Sequence, residues 1–175
     1  MSNLRLINET TITSGVSTVN IENVFSADYD IYKIVANDLS TVGTSQTDPD
    51  LRFINSSGSV ISASNYDYAH LIMRTDTSFI EQKATGQAQL YRFFSESVDQ
   101  SPESGSQVSY IFNPFSSSSY SFALYQSNTA TAGVKIVMKG IGVLKQTASM
   151  TGINFNASSS ILNIRARVYG LRVDS

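Results

Sequence analysis

The only histidine in the chain, His70, is the one side chain that could serve as the imidazole of a Ser-His-Asp triad. It lies in the alternating run 66–74, on the same side as Tyr66 and Tyr68, and no G-x-S-x-G motif accompanies it. We interpret His70 as a structural or surface residue. With one histidine and no cysteine, any bound metal would have to be held by oxygen ligands.

Two acidic pairs come closest to a calcium loop: Asp28 and Asp30 in "ADYD", and Asp48 and Asp50 in "TDPD". Each pair offers two carboxylates, whereas calcium takes about six to eight oxygen ligands. Aspartates in loops commonly cap the backbone of a turn. A glycosidase would need two carboxylates about 5–10 Å apart, and nothing in the sequence selects such a pair. We therefore predict no metal, no cofactor and no catalytic residue.

Four tyrosines with polar neighbours, namely Tyr29, Tyr32, Tyr66 and Tyr68, could form a platform on which a sugar stacks. The alternative is that they belong to strands, in which a tyrosine ring packs while its hydroxyl reaches a polar group or water. The second interpretation is favoured, and the absence of tryptophan also counts against a lectin.

The segment "ILNIRARVYGLR" near the end of the chain places two arginines on one face of a strand. Read with period two, Leu162, Ile164, Ala166 and Val168 form the core side, while Arg165 and Arg167 point the other way. We expect the two arginines to face either solvent or an acidic neighbour across a subunit contact. The candidate subunit-interface residues are therefore Arg165 and Arg167, together with Leu4 and Leu6 of the apolar stretch "MSNLRLI".

Composition limits the classes of partner. The chain has 175 residues, a formal charge of −2 and 15% charged residues, and its basic residues are scattered. Nucleic-acid binding normally needs a concentrated basic patch, so no nucleic-acid partner is expected. No apolar run has the length of a signal peptide or of a membrane span of about 20 residues, so no membrane partner is expected either.

Strand-like segments dominate the chain at roughly regular spacing, and they do not alternate with helical segments as in βαβ units. They are 16–25, 31–39, 51–63 (read as a hairpin), 66–74, 88–96, 107–115, 120–127, 133–146, 151–158 and 161–172. We predict a single all-β domain over 1–175, an antiparallel β-sandwich of jelly-roll type with about ten strands, in which 1–10 is an N-terminal arm or a first strand.

Four local features of this pattern are more specific. Residues 77–86 are the one candidate for a helix, or for a loop with a single helical turn, and 40–50 and 97–106 read as loops. Gly140 and Gly142 predict a bulge or bend in their strand. The serines at 158–160 predict a turn between the last two strands.

Four stretches together resemble a family. The segment "SGVSTVNIENVFSADYDIYKIVANDLS" (14–40) is similar to a "VSSV.F.NVFS..YD.Y.I.I..L" pattern that opens small β-rich structural proteins of tailed bacteriophages, especially marine and cyanobacterial types. The stretches "LRFINSSGSVISASNYDYA", "IFNPFSSSSYSF" and "SSSILNIRARVYGLR" match later parts of the same pattern. The resemblance implies a β-sandwich virion component, and the family pattern supplies no catalytic residue.

Three functions are expectations, of which the first two are implied by this resemblance. The leading one is a non-enzymatic capsid decoration or cement protein that stabilises the shell through subunit contacts. The alternative is a tail-fibre or tail-tip module that binds a receptor or a host surface glycan, and a polysaccharide-degrading enzyme comes last. The expected partners are other virion proteins, either the major capsid protein or tail components, and further copies of the chain in a homo-oligomer such as a trimer. The expected location is the virion, after assembly in the host cytoplasm.

Overall fold

The computed structural model describes residues 3–41, 47–76, 79–96, 98–99 and 102–172, with the backbone alone for 158–162. These residues form ten strands: β1 (Leu4–Ile12), β2 (Val16–Ile21), β3 (Ile31–Thr41), β4 (Asp50–Asn55), β5 (Tyr66–Arg74), β6 (Ile80–Gln87), β7 (Gly105–Phe112), β8 (Ser121–Thr131), β9 (Val134–Leu144) and β10 (Met150–Leu171). In the part of the chain so described, no helix has the length and apolarity to cross a membrane.

The strands form two antiparallel sheets that share β10. The large sheet has eight strands in the order β1-β10-β3-β7-β8-β9-β5-β6, and the small sheet has the order β2-β10-β4. The first half of β10 pairs with β2 and β4, where Ile153 lies between Ile21 and Phe53. The second half pairs with β1 and β3, where Arg167 lies between Glu9 and Val35. The predicted antiparallel sandwich with about ten strands is confirmed.

The core lies between the two sheets and follows the period of two in the strands. The large sheet contributes fully buried side chains such as Tyr32, Tyr66 and Ile72, and the small sheet contributes Phe53 and Phe155. Each apolar side chain of this size stabilises the fold by about 1.5–3 kcal/mol when it is fully buried. On β10 the predicted core side is confirmed for the described side chains, since Ile164, Ala166 and Val168 are all buried.

The segment 88–96 fills the gap between the sheets as a chain of turns. It was predicted to be strand-like, but it pairs only through the single bridge between Leu90 and Leu51. Its two phenylalanines explain why: the Phe94 ring lies 4.2 Å from Phe155 of the small sheet, and the Phe93 ring lies 4.7 Å from Tyr125 of the large sheet. Consecutive side chains that pack in different directions suit a folded segment wedged between two layers.

Three of the four tyrosines, Tyr32, Tyr66 and Tyr68, are buried in the core, and Tyr29 is partly buried against it. The Tyr32 hydroxyl accepts a hydrogen bond from the Ser26 N–H at 2.7 Å and donates to the Ser26 carbonyl at 2.9 Å. The Tyr66 hydroxyl does the same with the Phe53 N–H and the Ile61 carbonyl, at 3.0 Å each. Each ring is buried, while its hydroxyl bonds to backbone groups of a neighbouring segment.

Two predictions about secondary structure are wrong. The helix candidate 77–86 is, from Ile80 onward, the edge strand β6, which pairs with β5 along its length; residues 77 and 78 lie outside the described residues. The serine stretch is not a turn, because β10 runs through it without a break while passing from the small sheet to the large one. For β6, pairing with β5 overrides a weak local preference.

The loop and hairpin predictions are met in part. Asn55 and Ser59 close the predicted turn at 3.0 Å, but the returning arm is only a bridge from Val60 to Ile54. Thr41 still belongs to β3, and Asp50 already begins β4, which shortens the predicted loop 40–50. Parts of that loop and of 97–106 lie outside the described residues.

At the start of the chain, residues 4–12 form the strand β1 rather than an arm.

Gly140 and Gly142 do not form a bulge, since β9 keeps an unbroken register with both β5 and β8. They instead leave space on the inner face of the large sheet. A Cβ atom at residue 140 would lie 2.3 Å from Cζ of Tyr125, and one at residue 142 would lie 2.6 Å from Cδ2 of Leu90. Two large core side chains can therefore cross directly over the β9 backbone.

We expect Gly140→Ala to destabilise the fold by about 1–3 kcal/mol, because Tyr125 must leave its packed position to admit the methyl group. Urea unfolding followed by circular dichroism measures this as a lower midpoint. The adjacent exposed variant Lys139→Ala is the control and should unfold within about 0.5 kcal/mol of the wild type. Equal midpoints for Gly140→Ala and the wild type would show that the crossing is not tightly packed.

Candidate functional site: the outer face of the large sheet

The outer face is the side of the large sheet that points away from the small sheet. It consists of alternate residues of each strand, such as Phe122 and Leu124 on β8 and Lys139, Ile141 and Val143 on β9. On β8 the inward residues from Ser121 to Thr131 are buried and the outward residues from Phe122 to Asn128 are exposed. The outer face is therefore a solvent-exposed surface that carries large apolar side chains.

The registers of the five strands at one end of the sheet place these side chains in rows across the strands. One row, here called the Ile141 row, consists of Tyr110, Leu124, Ile141, Ala69 and Lys83. The next row, the Lys139 row, consists of Val108, Gln126, Lys139, Leu71 and Glu81. Strands lie about 4.8 Å apart, so neighbouring members of a row are in contact range.

Apolar exposure is concentrated on these two rows and on Phe122 in the row beside Leu124. Ile141 is 56% exposed, Leu124 47% and Phe122 46%, and Val108 is 39% exposed. Of the eight large hydrophobic side chains that are exposed among the described residues, these four lie together on β7, β8 and β9. Contiguous apolar patches of this kind mark contacts with other proteins, with membranes or with ligands.

Two open hollows flank the Ile141 row. One, of about 650 Å³, is lined by the side chains of both rows, and the lining of the other, of about 810 Å³, includes Phe112, Phe122 and Val143. Both hollows share Leu124 and Ile141 as a common wall. The exposed side chains of Leu124 and Ile141 thus border both hollows.

The four residues predicted to form a subunit interface lie on β1 and β10, at the other end of the same sheet. The Glu9 carboxylate accepts hydrogen bonds from Nε of Arg165 at 2.7 Å and from Nε of Arg167 at 3.0 Å. These bonds lower the pKa of Glu9. The acidic neighbour of the two arginines is therefore a residue of the same chain, and both guanidinium groups are paired within it.

Leu4 and Leu6 are placed by the register of β1 with β10. Leu6 is 49% exposed and lies opposite Tyr169, and Leu4 is half-buried and lies opposite Leu171. The structure brings all four predicted residues onto β1 and β10, and it tests none of them as a contact. Their role at a subunit interface remains a prediction.

Sequence reasoning missed the apolar rows, although the signal was present. In "YSFALYQS" and "GVKIVMKGIGVLKQ" apolar residues occupy both sides of a period-two strand, for example Phe122 and Leu124 opposite Ala123 and Tyr125. A strand that is apolar on both sides is expected to be covered on both sides. In this fold the small sheet and its flanking segments cover one side only.

A polar cluster centred on Arg92 lies against the inner side of β5 and β6. Nε of Arg92 contacts the Asp48 carboxylate at 3.0 Å, and Nη1 contacts the Glu96 carboxylate at 2.9 Å. Glu96 also pairs with Arg74 at 3.4 Å, and Tyr91 donates to Asp48 at 2.7 Å. The acids of "TDPD" are thus held by protein donors, and the cluster ties the segment 88–96 to the sheet.

Asp50 and His70 are the buried titratable groups beside this cluster. The Asp50 carboxylate, in a residue only 6% exposed, accepts hydrogen bonds from the Arg92 N–H at 2.9 Å and from the Gln89 amide, and burial raises its pKa to about 7. The His70 ring bonds to the Tyr125 hydroxyl and to Gln82, and burial lowers its pKa. His70 is therefore a buried residue whose two ring nitrogens are both hydrogen-bonded within the chain.

Asp28, in the other acidic pair, accepts a hydrogen bond from the Ser26 hydroxyl at 3.1 Å and shares a local turn with it. Within the ranges that the structure describes, no group of three or more His, Asp or Glu side chains is arranged to hold a metal ion.

No protein-family model matches the sequence, and no curated protein shows significant similarity to it.

We expect the contribution of Asp50 to the free energy of unfolding to decrease as the pH rises from about 4 to about 7. Its pKa is about 7 in the folded state and about 3.9 when unfolded, so the folded state binds more protons across this range. Thermal unfolding of the wild type and of Asp50→Asn, measured from pH 4.5 to 8, isolates this contribution, because all other groups are common to both proteins. Relative to the variant, the wild type should lose stability toward pH 8; parallel pH profiles would contradict the assignment.

We expect the double variant Arg165→Ser/Arg167→Ser to fold normally, with an unfolding midpoint close to that of the wild type, because both pairs with Glu9 are exposed to solvent. Circular dichroism and urea unfolding test this. Arg92→Met is the matched comparison: it leaves Asp48 and Glu96 without their shared cation and should cost more than the double variant. A collapse of the fold in the double variant would show that the facing of β10 is wrong.

Proposed function

We propose that this protein is a non-enzymatic structural component of a bacteriophage virion, which decorates the capsid and stabilises the shell through contacts with neighbouring subunits. The resemblance of four sequence stretches to phage structural proteins supports the virion setting. The observation that carries the contact role is the apolar outer face of the large sheet, with Leu124 and Ile141 at its centre.

The outer face supports a contact role because it exposes apolar surface that burial would stabilise. Removing apolar surface from water contributes roughly 25 cal/mol per Å², and the rows carry several large apolar side chains side by side. Since the rows lie in regular strands, a partner would meet a rigid surface and would lose little conformational freedom in binding it.

The geometry of the acids also supports a non-enzymatic role. Asp48 and Glu96 are both engaged by Arg92, and Asp50 is buried between the Arg92 backbone and the Gln89 amide. A general acid or base must reach its substrate directly or through one water molecule. These carboxylates instead hold the segment 88–96 in place.

One observation favours the alternative, a receptor- or glycan-binding module of the tail. A polar hollow of about 440 Å³ lies where β1, β3 and β10 meet, and its lining includes Thr11, Asp38, Ser40, Asn163 and Arg165. Hydroxyl, amide and carboxylate groups of this kind can bind the hydroxyls of a sugar. Binding on a glycan array that Asp38→Ala abolishes would support this alternative, and an array without binding would count against it.

The virion proposal is tested by placing Ile141→Asp in the phage that encodes the chain. A charge at the centre of the outer face should oppose its burial, so we expect fewer copies of the chain per purified particle by quantitative mass spectrometry. Ile80→Asp is the control, because Ile80 is also exposed, at 40%, but lies opposite the buried Ile72 on the other face of the sheet.

Wild-type copy number for a folded Ile141→Asp protein would overturn the contact role of the outer face. Absence of the wild-type chain from purified particles would overturn the virion setting. Presence of the chain on tails alone would overturn capsid decoration in favour of the tail module.

A further inference from the structure

We propose that the free edge of β6 pairs with the same edge of a second copy of this chain, antiparallel and about a two-fold axis that passes between the two Gln82 residues. The axis is perpendicular to the sheet, so the large sheets of the two copies join into one. This inference goes beyond the proposed function, because it uses an edge of the large sheet and leaves the outer face of both copies uncovered. It draws on the backbone, the charges and the apolar side chains of residues 80–84.

The edge formed by β6 is regular and uncovered. β6 is the last strand of the large sheet and pairs with β5 alone, in an unbroken register from Ile80 to Ala84. At the opposite edge, β1 has a register shift between Leu6 and Asn8, and β4 in the small sheet is bridged to Leu90. A bulge or a covering segment protects an edge strand, whereas a regular, uncovered edge is a template for pairing with another chain.

The hydrogen bonds of β5 show which backbone groups of its neighbours are occupied. The Lys145 N–H donates to the Asn65 carbonyl at 2.8 Å, and the Thr75 N–H donates to the Lys135 carbonyl at 3.1 Å. Both pairs belong to the unbroken register of β5 with β9. Because a residue in an antiparallel sheet bonds alternately to its two neighbouring strands, the odd-numbered residues of β5 bond to β9 and the even-numbered residues bond to β6.

The register of β5 with β6 extends this alternation to the free edge. His70 lies opposite Gln82, so the even-numbered residues of β6 bond to β5. The N–H and C=O groups of Glu81 and Lys83 therefore point away from the sheet, and within the described ranges no backbone hydrogen bond reaches them from another segment. A pairing centred on Gln82 sets Glu81 of each copy opposite Lys83 of the other, and each such pair exchanges two backbone hydrogen bonds.

The charges at this edge select that register. Glu81 and Lys83 are both exposed, and neither forms an ion pair with another described residue. A pairing centred on Gln82 gives two contacts between Glu81 and Lys83, whereas a pairing centred on Glu81 or on Lys83 sets two like charges face to face. Opposite charges directly across an antiparallel pair stabilise it, and like charges destabilise it. The side chains that would keep two edges of one charge apart here attract a second copy.

The apolar side chains of β6 fit the same register. The axis sets Ile80, which is 40% exposed, opposite the half-buried Ala84 of the other copy, on the inner face of the sheet. Side chains directly opposite each other have Cβ atoms about 4.5–5.5 Å apart, so the large Ile80 covers the small Ala84. This contact occurs twice, once at each end of the paired segment, and removes part of the exposed Ile80 surface from water.

A pairing of this kind is isologous and closes on itself, so it makes a dimer. The trimer considered from the sequence would need a contact between two different surfaces. Because the axis is perpendicular to the sheet, the two eight-stranded sheets present their apolar outer faces on the same side. The dimer would therefore offer a partner two copies of the outer face in a fixed arrangement.

Disulfide cross-linking tests the proposal, since the chain has no cysteine of its own. In the proposed pairing the Cα atoms of the two Gln82 residues are about 4.5 Å apart, within the range that a disulfide spans. At about 0.1 mM in a glutathione redox buffer, Gln82→Cys should form a linked dimer at least about tenfold faster than Glu22→Cys, because pairing raises the effective concentration of the thiols. Glu22 is an exposed residue next to β2 and is the control for random collision. Non-reducing gels measure the rates, each divided by the reactivity of the same thiol toward a small neutral disulfide.

A mixture of Ile80→Cys and Ala84→Cys tests the register and leaves Gln82 in place. The two residues are opposite each other in the pairing, whereas each lies about 14 Å from its own counterpart, too far for a disulfide. The mixture should therefore give the mixed disulfide, identified by its mass, at a rate above that of Glu22→Cys. Each variant alone should link no faster than Glu22→Cys.

The charge variants are made in the Gln82→Cys protein. Lys83→Glu should slow cross-linking by up to about tenfold, because both contacts between the copies become repulsive. Adding Glu81→Lys to Lys83→Glu should restore the rate, since each pair is rebuilt with opposite signs. Circular dichroism confirms that each variant is folded.

A folded Gln82→Cys protein that links no faster than Glu22→Cys would overturn the proposal. If Gln82→Cys does not fold, the mixture decides, and absence of the mixed disulfide would overturn the proposal in the same way. Rapid linking of Ile80→Cys or Ala84→Cys to itself would overturn the register centred on Gln82. Slowing by Lys83→Glu that the swap does not reverse would overturn the part assigned to the two charges.

Discussion

The pairing of β10 with four other strands is the constraint on which the structure depends. Its first half holds β2 and β4 on its two edges, and its second half holds β1 and β3. Because one continuous strand belongs to both sheets, their relative position is fixed by backbone hydrogen bonds as well as by packing. The core side chains Ile164, Ala166 and Val168 then face the small sheet and the segment 88–96, and Arg165 and Arg167 are turned outward to Glu9.

This arrangement separates the two faces of the large sheet chemically. The inner face packs against the small sheet and the segment 88–96, with Gly140 and Gly142 leaving room for Tyr125 and Leu90. The outer face presents its apolar rows to solvent in the single chain. A sheet that is apolar on both sides is stabilised when both sides are covered, so the same geometry that completes the core also creates the surface available to a partner.

Period-two alternation was sufficient to predict β5, β8, β9 and the facing of β10, because those strands carry strong apolar positions. It failed for β6, whose sequence "IEQKATGQ" is mostly polar because it forms an exposed edge. It also failed for the serine stretch, through which β10 continues from the small sheet to the large one. The glycines of β9 were misread because their role depends on Tyr125 and Leu90, which cross over them only in the folded chain.

The candidate site shows the same limit. The outward direction of Arg165 and Arg167 could be predicted locally, but their partner Glu9 lies 156 positions before Arg165. The apolar rows exist only once the registers of five strands are known. The sequence pattern shows that a strand is apolar on both sides. Only the sheet topology shows which of the two sides is covered within the chain.

We propose that the outer face is buried against a neighbouring protein in a phage particle. A cryo-EM reconstruction of the particle that carries the chain tests this, because it shows both the location of the chain and the direction in which its large sheet faces. We expect density for this chain on the capsid, with Leu124 and Ile141 covered by protein density from an adjacent subunit. Density in which these side chains face open solvent, or a particle that lacks the chain, would contradict it.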